Sequence, residues 1–377
     1  MVDLSDKKRI AIIGAGTFQV PLIRRAKELG YDTHVFAWEE GAEGKDLADC
    51  FYPISIAEKE KILSECIEID PDGICSVGSD LAVIAVNFVS ENLGLPCNRS
   101  TDSLAMTNKY EMRKKMQQAG LPTPAFQKID VLNLKNLEWK QFPAIVKPTD
   151  RSGSRAISLV RCREELLAAA ATAIEASFSK QAIVEQYLRG QEYSCETISQ
   201  DSRHHFLAIT QKFTSGEPSY IETGHRIPCD LSQEIKNEVK KVVFSALDAL
   251  GFRNSAGHTE IRVDEEGNIS IIEIGARMGG DCIGSHLVPL ATGYDFLRMV
   301  IDVACGNSLD FTLLPHYNSA EIEFLITPED VRRFEALNSC GKLDLKEVSK
   351  IDLTHIGNAT DSSTRGGYYI FIPRENQ

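Results

Sequence analysis

Two carboxylates, Glu260 and Glu273, stand in neighbouring strands joined by a short turn, and no other pair in the sequence is better placed for chemistry. His258-Thr259-Glu260-Ile261-Arg262 reads as one strand, and Ile272-Glu273-Ile274-Gly275-Ala276-Arg277 ends the next. A hairpin loop of four residues, 265–268, pairs Asp264 with Ile269 and sets Glu260 opposite Glu273 on one face. Like charges opposed across a ladder destabilise it. A divalent cation removes that cost, and Mg²⁺ favours hard oxygen ligands completed by substrate phosphates. Arg277, four residues beyond Glu273, supplies a bidentate donor for a transferring phosphoryl group or an acyl phosphate. A loop of three or five residues instead puts the two carboxylates on opposite faces and removes the site.

Three further stretches could serve phosphate and substrate. The apolar run Pro143-Ala144-Ile145-Val146 delivers Lys147 to a small polar loop, Thr149 to Arg155. Its backbone N–H groups and hydroxyls suit phosphate oxygens, although a strand-end lysine beside an ordinary hairpin turn reads the same way. Ile183-Val184-Glu185-Gln186-Tyr187-Leu188 is a strand whose following backbone can pair with an adenine edge. Glu192 can then accept from ribose hydroxyls, against the alternative of solvent-facing carboxylates. Glu222-Thr223-Gly224-His225-Arg226-Ile227-Pro228 lies between a strand and a helix, where Glu222 and His225 offer substrate contacts; a lone loop histidine is more often structural. After Arg277 comes Met278-Gly279-Gly280-Asp281. Its two glycines let backbone approach a ligand closely. Asp281 then either faces a substrate ammonium group or caps the helix from Ile283 onward.

The elements that position these groups follow from periodicity. Arg9 to Ile13 is a strand, Val20 to Leu29 a helix stopped by Gly30, and Thr33 to Ala37 a strand, which makes a parallel βαβ unit. The pattern repeats through Leu93 and gives an open α/β sheet with ligand-facing turns at its strand ends. The glycines read Gly14-x-Gly16-x-x-Gln19, so the dinucleotide fingerprint lacks its third glycine, and Glu39 and Glu40 are ambiguous partners for a ribose. Asn108 to Ala119 is a helix. A β-rich stretch follows, and Ser232 to Leu250 is a long helix capped by Ser232 and stopped by Gly251.

Composition narrows the class. The chain has 377 residues, which suits two or three lobes. The N-terminal stretch places basic residues before a short apolar run that enters a turn, so it reads as a strand and not a secretory signal. No apolar run approaches the roughly 18 residues of a membrane span. The ten cysteines are scattered without a Cys-x-x-Cys pair and read as buried hydrophobes in a reducing compartment. A net charge of −13 argues against nucleic-acid binding.

In this order the motifs resemble the ATP-grasp superfamily, over nearly the whole chain. The resemblance implies an α/β fold of α+β lobes: a pre-ATP-grasp parallel α/β domain over residues 1–105, a lid lobe over 106–187, and a large lobe with a C-terminal β-rich cap over 188–377. Lys109 and Lys147 look like the two nucleotide lysines. Ser152, Gly153 and Ser154 look like the phosphate loop. Glu185, Gln186, Tyr187 and Leu188 look like the adenine segment, and Glu192 like the ribose contact. Glu260 and Glu273 are similar to the magnesium ligands, and Arg277 to the catalytic arginine. HTEIRV, EIGARMGGD and ETGHRIP look most like L-amino-acid ligases and related carbamoyl-phosphate-synthase-like carboxylate–amine ligases. In that group a Glu and a His spaced as Glu222 and His225 line the acceptor site and serve the reaction, while Arg277, Gly279, Gly280 and Asp281 border the substrate. Many members carry an Asn where Gly275 stands, which leaves a second ion with fewer side-chain ligands.

The activity implied is ADP-forming ligation of a carboxylate to an amine through an acyl phosphate, in the cytoplasm. ATP and Mg²⁺ are the expected cofactors, with two ions, Mn²⁺ being the alternative metal. The expected partners are a small-molecule carboxylate and amine, with no nucleic acid or membrane and with room for a homodimer. The rivals are a carboxylating or amidating enzyme of nucleotide or carbamoyl-phosphate metabolism, a dinucleotide-dependent oxidoreductase, and a catalytically silent nucleotide binder.

Overall fold

A computed structural model describes residues 7–217 and 220–373, so the first six residues of the N-terminal stretch lie outside the described residues. β1 (Arg9–Ile13) is apolar and buried on both faces, as a central parallel strand requires. With α1 (Val20–Glu28), β2 (Asp32–Phe36), β3 (Cys50–Tyr52), α2 (Lys59–Ile69), β4 (Gly73–Cys75) and α3 (Asp80–Leu93) it forms a parallel sheet of order β3-β2-β1-β4. The Ser79 hydroxyl caps α3 by accepting from the Ala82 N–H.

α4 (Ser103–Thr107) and α5 (Lys109–Gln118) come next, and Asn108 caps α5 through the N–H groups of Tyr110 and Glu111. The lid is the antiparallel sheet β5-β8-β6-β7, made by β5 (Phe126–Asp130), β6 (Ala144–Pro148), β7 (Ser158–Val160) and β8 (Gln181–Gln186), with α6 (Arg163–Ala176) across it. Ile129, Val146, Leu166 and Val184 form its own core. Met112 and Met116 of α5 pack elsewhere, against Val239, Val243 and Leu247. Of the expected 106–187 lobe, therefore, only the chain from β5 onward builds the lid sheet.

The large lobe contains β9 (Gln191–Gln200), β10 (Arg203–Thr214), β11 (Glu222–Ile227), α7 (Gln233–Leu250), β12 (Ser255–Val263), β13 (Ile269–Gly275), α8 (Val288–Thr292), α9 (Phe296–Ala304), β14 (Ala320–Phe324), α10 (Pro328–Ser339), β15 (Asp344–Val348) and β16 (Tyr368–Ile372). Its eight strands run in the order β13-β12-β9-β10-β11-β14-β16-β15. The C-terminal β-rich segment is thus continuous with the sheet that holds Glu260. Ser232 caps α7 and Gly251 ends it in the left-handed conformation, as the sequence indicates. Leu22 and Ile23 of α1 share one apolar cluster with Phe296, Met299 and Ile322, which locks the N-terminal sheet onto the large lobe. No helix among the described residues is long and apolar enough to cross a membrane.

Candidate active site

The opposed carboxylates are real, but the route to them differs from the one expected. Val263 pairs with Ile269, so the turn has five residues, which alone would set Ile272 opposite Glu260. A bulge at Ile272 then advances β13 by one position, and Glu260 pairs with Glu273 on one face. Bulges commonly re-aim a side chain beside an active site, and here one restores the facing pair.

Lysines offset the repulsion. Lys109 Nζ lies 2.8 Å from Glu273 Oε1, and Lys212 Nζ lies 2.6 Å from Glu260 Oε1. Lys212, buried on β10, also meets Glu192 at 3.2 Å and Glu222 at 3.9 Å. Burial opposes its charge, but the three carboxylates outweigh burial and keep it cationic. Burial also opposes charge on Glu260, yet Lys212 and His258 hold that carboxyl well below the usual carboxylate range. His258 Nδ1 is 2.5 Å from the fully buried Glu196, and its Nε2 is 3.5 Å from Glu260. Burial lowers the imidazole pKa, but Glu196 more than compensates and raises it to about 9. The Glu196 Oε2 also accepts the Gly279 N–H at 3.0 Å. A Cβ at Gly279 would stand 2.7 Å from His258 Nδ1, so glycine is required there.

The two carboxylates suit a hard divalent ion. Each places Oε1 against cations, while Oε2 makes no hydrogen bond among the described residues. No group of three His, Cys, Asp or Glu side chains among those residues is arranged to hold a metal ion by itself, so the donor set is two carboxylates to be completed by phosphates, as Mg²⁺ prefers. Gly275 has a steric reason. A Cβ there would meet Asp80 Oδ1 at 3.0 Å and Arg277 Nε at 3.4 Å. An asparagine at this position would therefore displace the Asp80–Arg277 pair, in which Nε donates to Oδ1 at 2.6 Å.

Two cavities flank this centre. One, of about 110 Å³, is lined by Lys147, Ser154, Glu185, Gln186, Tyr187, Leu188, Glu192, Arg262 and Glu273 among others. Lys147 Nζ sits 2.8 Å from Glu185, whose other oxygen accepts from the fully buried Arg113 at 2.6 Å. The Tyr187 N–H donates to the Pro143 carbonyl at 3.2 Å and the Leu188 carbonyl accepts from Arg262 at 2.7 Å. The Leu188 N–H has no protein acceptor among the described residues, which leaves it available to a purine edge. Lys109 is buried behind Glu273, donates to the Arg151 carbonyl at 2.7 Å, and does not line either cavity.

The other cavity, of about 250 Å³, is lined by Phe18, Ser152, Gly153, Arg155, Lys212, His225, His258, Arg277, Gly280, Asp281, Ser362 and Ser363 among others. Glu222 and Glu260 line both cavities and form the wall between them. Glu222 and His225 lie on strand β11 and not on a loop, because Gly224 pairs directly with Glu323 of β14. His225 is buried, and burial holds its imidazole below the ordinary value although Asp281 Oδ2 lies 3.6 Å away. Neither ring nitrogen has a hydrogen-bond partner among the described residues. Asp281 does not cap the following helix, whose N-cap residue is Cys282 with no side-chain cap bond. Instead Arg365 grips both its oxygens, at 2.5 and 3.0 Å, and stacks over the Phe324 ring at 3.6 Å.

The sequence singled out neither Lys212, Arg113, Asp80, Glu196 nor Arg365. Lys212 alone carried a signal, a lysine in an otherwise strand-like run, Ile209-Thr210-Gln211-Lys212-Phe213. The dinucleotide reading meets a steric obstacle in the first βα turn. The Gln19 side chain folds back into it, accepting the Gly16 N–H at 3.0 Å and donating to the Val77 carbonyl at 2.6 Å. It fills the space beside Gly14 and Gly16, in the turn where the fingerprint brings backbone up to a pyrophosphate.

A family model described as an ATP-grasp domain matches residues 140–285. The chain is 30% identical over 227 residues to a D-alanine–D-alanine ligase from Pseudomonas entomophila, covering 56% of this chain and 69% of that protein. It is 26% identical over 260 residues to a formate-dependent phosphoribosylglycinamide formyltransferase from Prochlorococcus marinus, covering 64% of this chain and 63% of that protein. Among solved structures, an L-amino acid ligase from Bacillus licheniformis superposes with a TM-score of 0.80 at 24% identity, over 97% of this chain and 93% of that one. A phosphoribosylglycinamide synthetase from Anaerococcus prevotii superposes with a TM-score of 0.73 at 20% identity, over 98% and 95%.

Proposed function

The chain belongs to the ATP-grasp family of ATP-dependent, ADP-forming carboxylate–amine ligases, and on that premise we propose that it joins an amino-acid carboxylate to an amine through an acyl phosphate, in the cytoplasm. The observation that supports this most is the wall shared by the two cavities, Glu222 and Glu260, beside the opposed Glu273. In this reading ATP occupies the smaller cavity, with its adenine at Leu188 and its ribose at Glu192. Lys147 and the loop of Ser152, Gly153 and Ser154 hold its phosphates. Mg²⁺, as two ions or with Mn²⁺ in its place, is held by Glu260 and Glu273 and neutralises phosphate charge when bound.

The larger cavity holds the carboxylate, whose oxygen attacks the γ-phosphorus as the bond to the ADP oxygen breaks. Arg277, aimed by Asp80, and Lys212 stand beside the oxygens that gain charge. Ser362, Ser363 and the phosphate loop border the cavity and limit water around the acyl phosphate. The amine enters as an ammonium at Glu222 and gives a proton to neutral His225. It then attacks the acyl carbon, the bond from that carbon to the phosphate oxygen breaks, and the departing phosphate takes the second proton from the nitrogen. Gly280 and Asp281 border the same substrate, while Gly279 lines neither cavity and gives its N–H to Glu196.

The test is a phosphate-release screen with MgATP over pairs of free amino acids, with bicarbonate as a separate arm. Release that needs two amino acids is expected. Release with bicarbonate alone would point to the carboxylating alternative, and no release in any arm would remove the ligase reading.

Asp281 gives a second expectation. Its carboxylate is spent on Arg365, so it acts by fixing the loop beside the substrate. Asp281→Asn should raise KM for one substrate about ten-fold while KM for ATP holds. Steady-state kinetics with both substrates varied checks this, and unchanged KM values would reduce the pair to a structural clasp.

A further inference from the structure

Most charges facing the larger cavity are matched within the protein. Arg277 is paired with Asp80 at 2.6 Å, Lys212 with Glu260 at 2.6 Å, and Asp281 with Arg365 at 2.5 Å. His258 is paired with Glu196 at 2.5 Å. Arg155, exposed at the end of the phosphate loop, differs. It lines the cavity, and its guanidinium makes no ion pair among the described residues and donates only to Ser363 Oγ, at 3.3 Å. Glu222 is the other loosely matched charge. It shares Lys212 at 3.9 Å with two nearer carboxylates and accepts from the Ser362 hydroxyl.

The two are anchored by consecutive serines on a braced turn. Asp361 accepts from the Ser363 N–H at 2.8 Å and from its hydroxyl at 2.5 Å, and Arg365, the next residue but one, is clamped to Asp281. A guanidinium and a carboxylate are thus anchored on adjacent residues at the border of one cavity, yet they do not pair with each other. A guanidinium without a counter-ion in the protein is suited to bidentate recognition of an anionic group brought in by a ligand.

We infer that Arg155 is a specificity residue that binds a second anionic group of the amine substrate, distinct from the carboxylate that is phosphorylated, while Glu222 holds the ammonium. The inference rests on the ligase reading above. It names a charge requirement, which an α-carboxylate or a side-chain carboxylate could meet.

The experiment compares the best amino-acid acceptor from the screen with its C-terminal amide and, where it is glutamate or aspartate, with glutamine or asparagine. Wild type should prefer the anionic member of one pair. Arg155→Gln should cut that preference, measured as the ratio of kcat/KM values, by about ten-fold or more, and Arg155→Lys should restore part of it. The pair that loses discrimination tells α-carboxylate from side-chain carboxylate. An unchanged ratio in Arg155→Gln, or a loss confined to KM for ATP, would overturn the assignment, the latter because it places the guanidinium on nucleotide phosphate. Absence of phosphate release by wild type with every pair would instead overturn the ligase reading itself, and this inference with it.

Discussion

Glu260→Gln and Glu273→Gln should each lower MgATP-dependent phosphate release by about 10²–10³-fold while thermal unfolding stays cooperative. Glutamine keeps the shape of the side chain and one carbonyl oxygen but loses the charge that a divalent ion requires. The fold tolerates the change because neither lysine is stranded. Without Glu260, Lys212 keeps Glu192 at 3.2 Å and Glu222 at 3.9 Å. Without Glu273, Lys109 still donates to the Arg151 carbonyl at 2.7 Å. Turnover near that of wild type at saturating Mg²⁺ in either variant would refute the metal assignment. Loss of activity together with loss of cooperative unfolding would show that the carboxylates serve the sheet and not the reaction.

How the sequence led to this pair is instructive. Reading the hairpin as a four-residue loop gave the right facing from the wrong turn, since a five-residue turn and a bulge at Ile272 combine to the same register. A bulge leaves little local signal, because Ile272 is the same residue type as Ile271 and Ile274 and the extra residue is decided by what grips its backbone. Glu222 to Ile227 misled in the other direction. Gly224 and Pro228 suggested a loop, yet a Cβ at Gly224 would stand 2.7 Å from the Ile322 carbonyl, so the glycine admits a neighbouring strand. The strands that carry Lys147 and Glu185 and the cap and stop of α7 were legible because each is set within a few residues. Asp80 with Arg277, Glu196 with His258 and Asp281 with Arg365 join residues far apart in sequence, and one chain read by itself contains no record of such pairs.

Arg113 is the extreme case of such a hidden partner, and its removal should cost the most stability. The side chain is fully buried. Its Nε and one terminal nitrogen donate to the two oxygens of Glu185 at 2.6 and 3.3 Å, and its terminal nitrogens reach the carbonyls of Ile271 at 2.7 Å and Ile272 at 2.9 Å. One guanidinium thus holds the lid strand β8, through Glu185, and the bulge that aims Glu273. Arg113→Met leaves Glu185 buried with Lys147 alone and frees two carbonyls. Breaking a buried pair from one side costs about 3–5 kcal/mol, to be read from urea denaturation at neutral pH. Because the bulge loses its anchor, phosphate release should fall as well. The pH dependence follows from Glu185. Burial alone would raise its pKa, but Arg113 and Lys147 lower it from 4.5 to about 2. A depressed carboxyl pKa stabilises the folded state fully above the unfolded value and loses that contribution as pH falls through the folded one. The stability gap between wild type and Arg113→Met should therefore be full above about pH 4.5 and narrow towards pH 2. A gap below about 1 kcal/mol at neutral pH, or one that does not change with acid, would mean that Arg113 is packed in place and not holding the lobes together by charge.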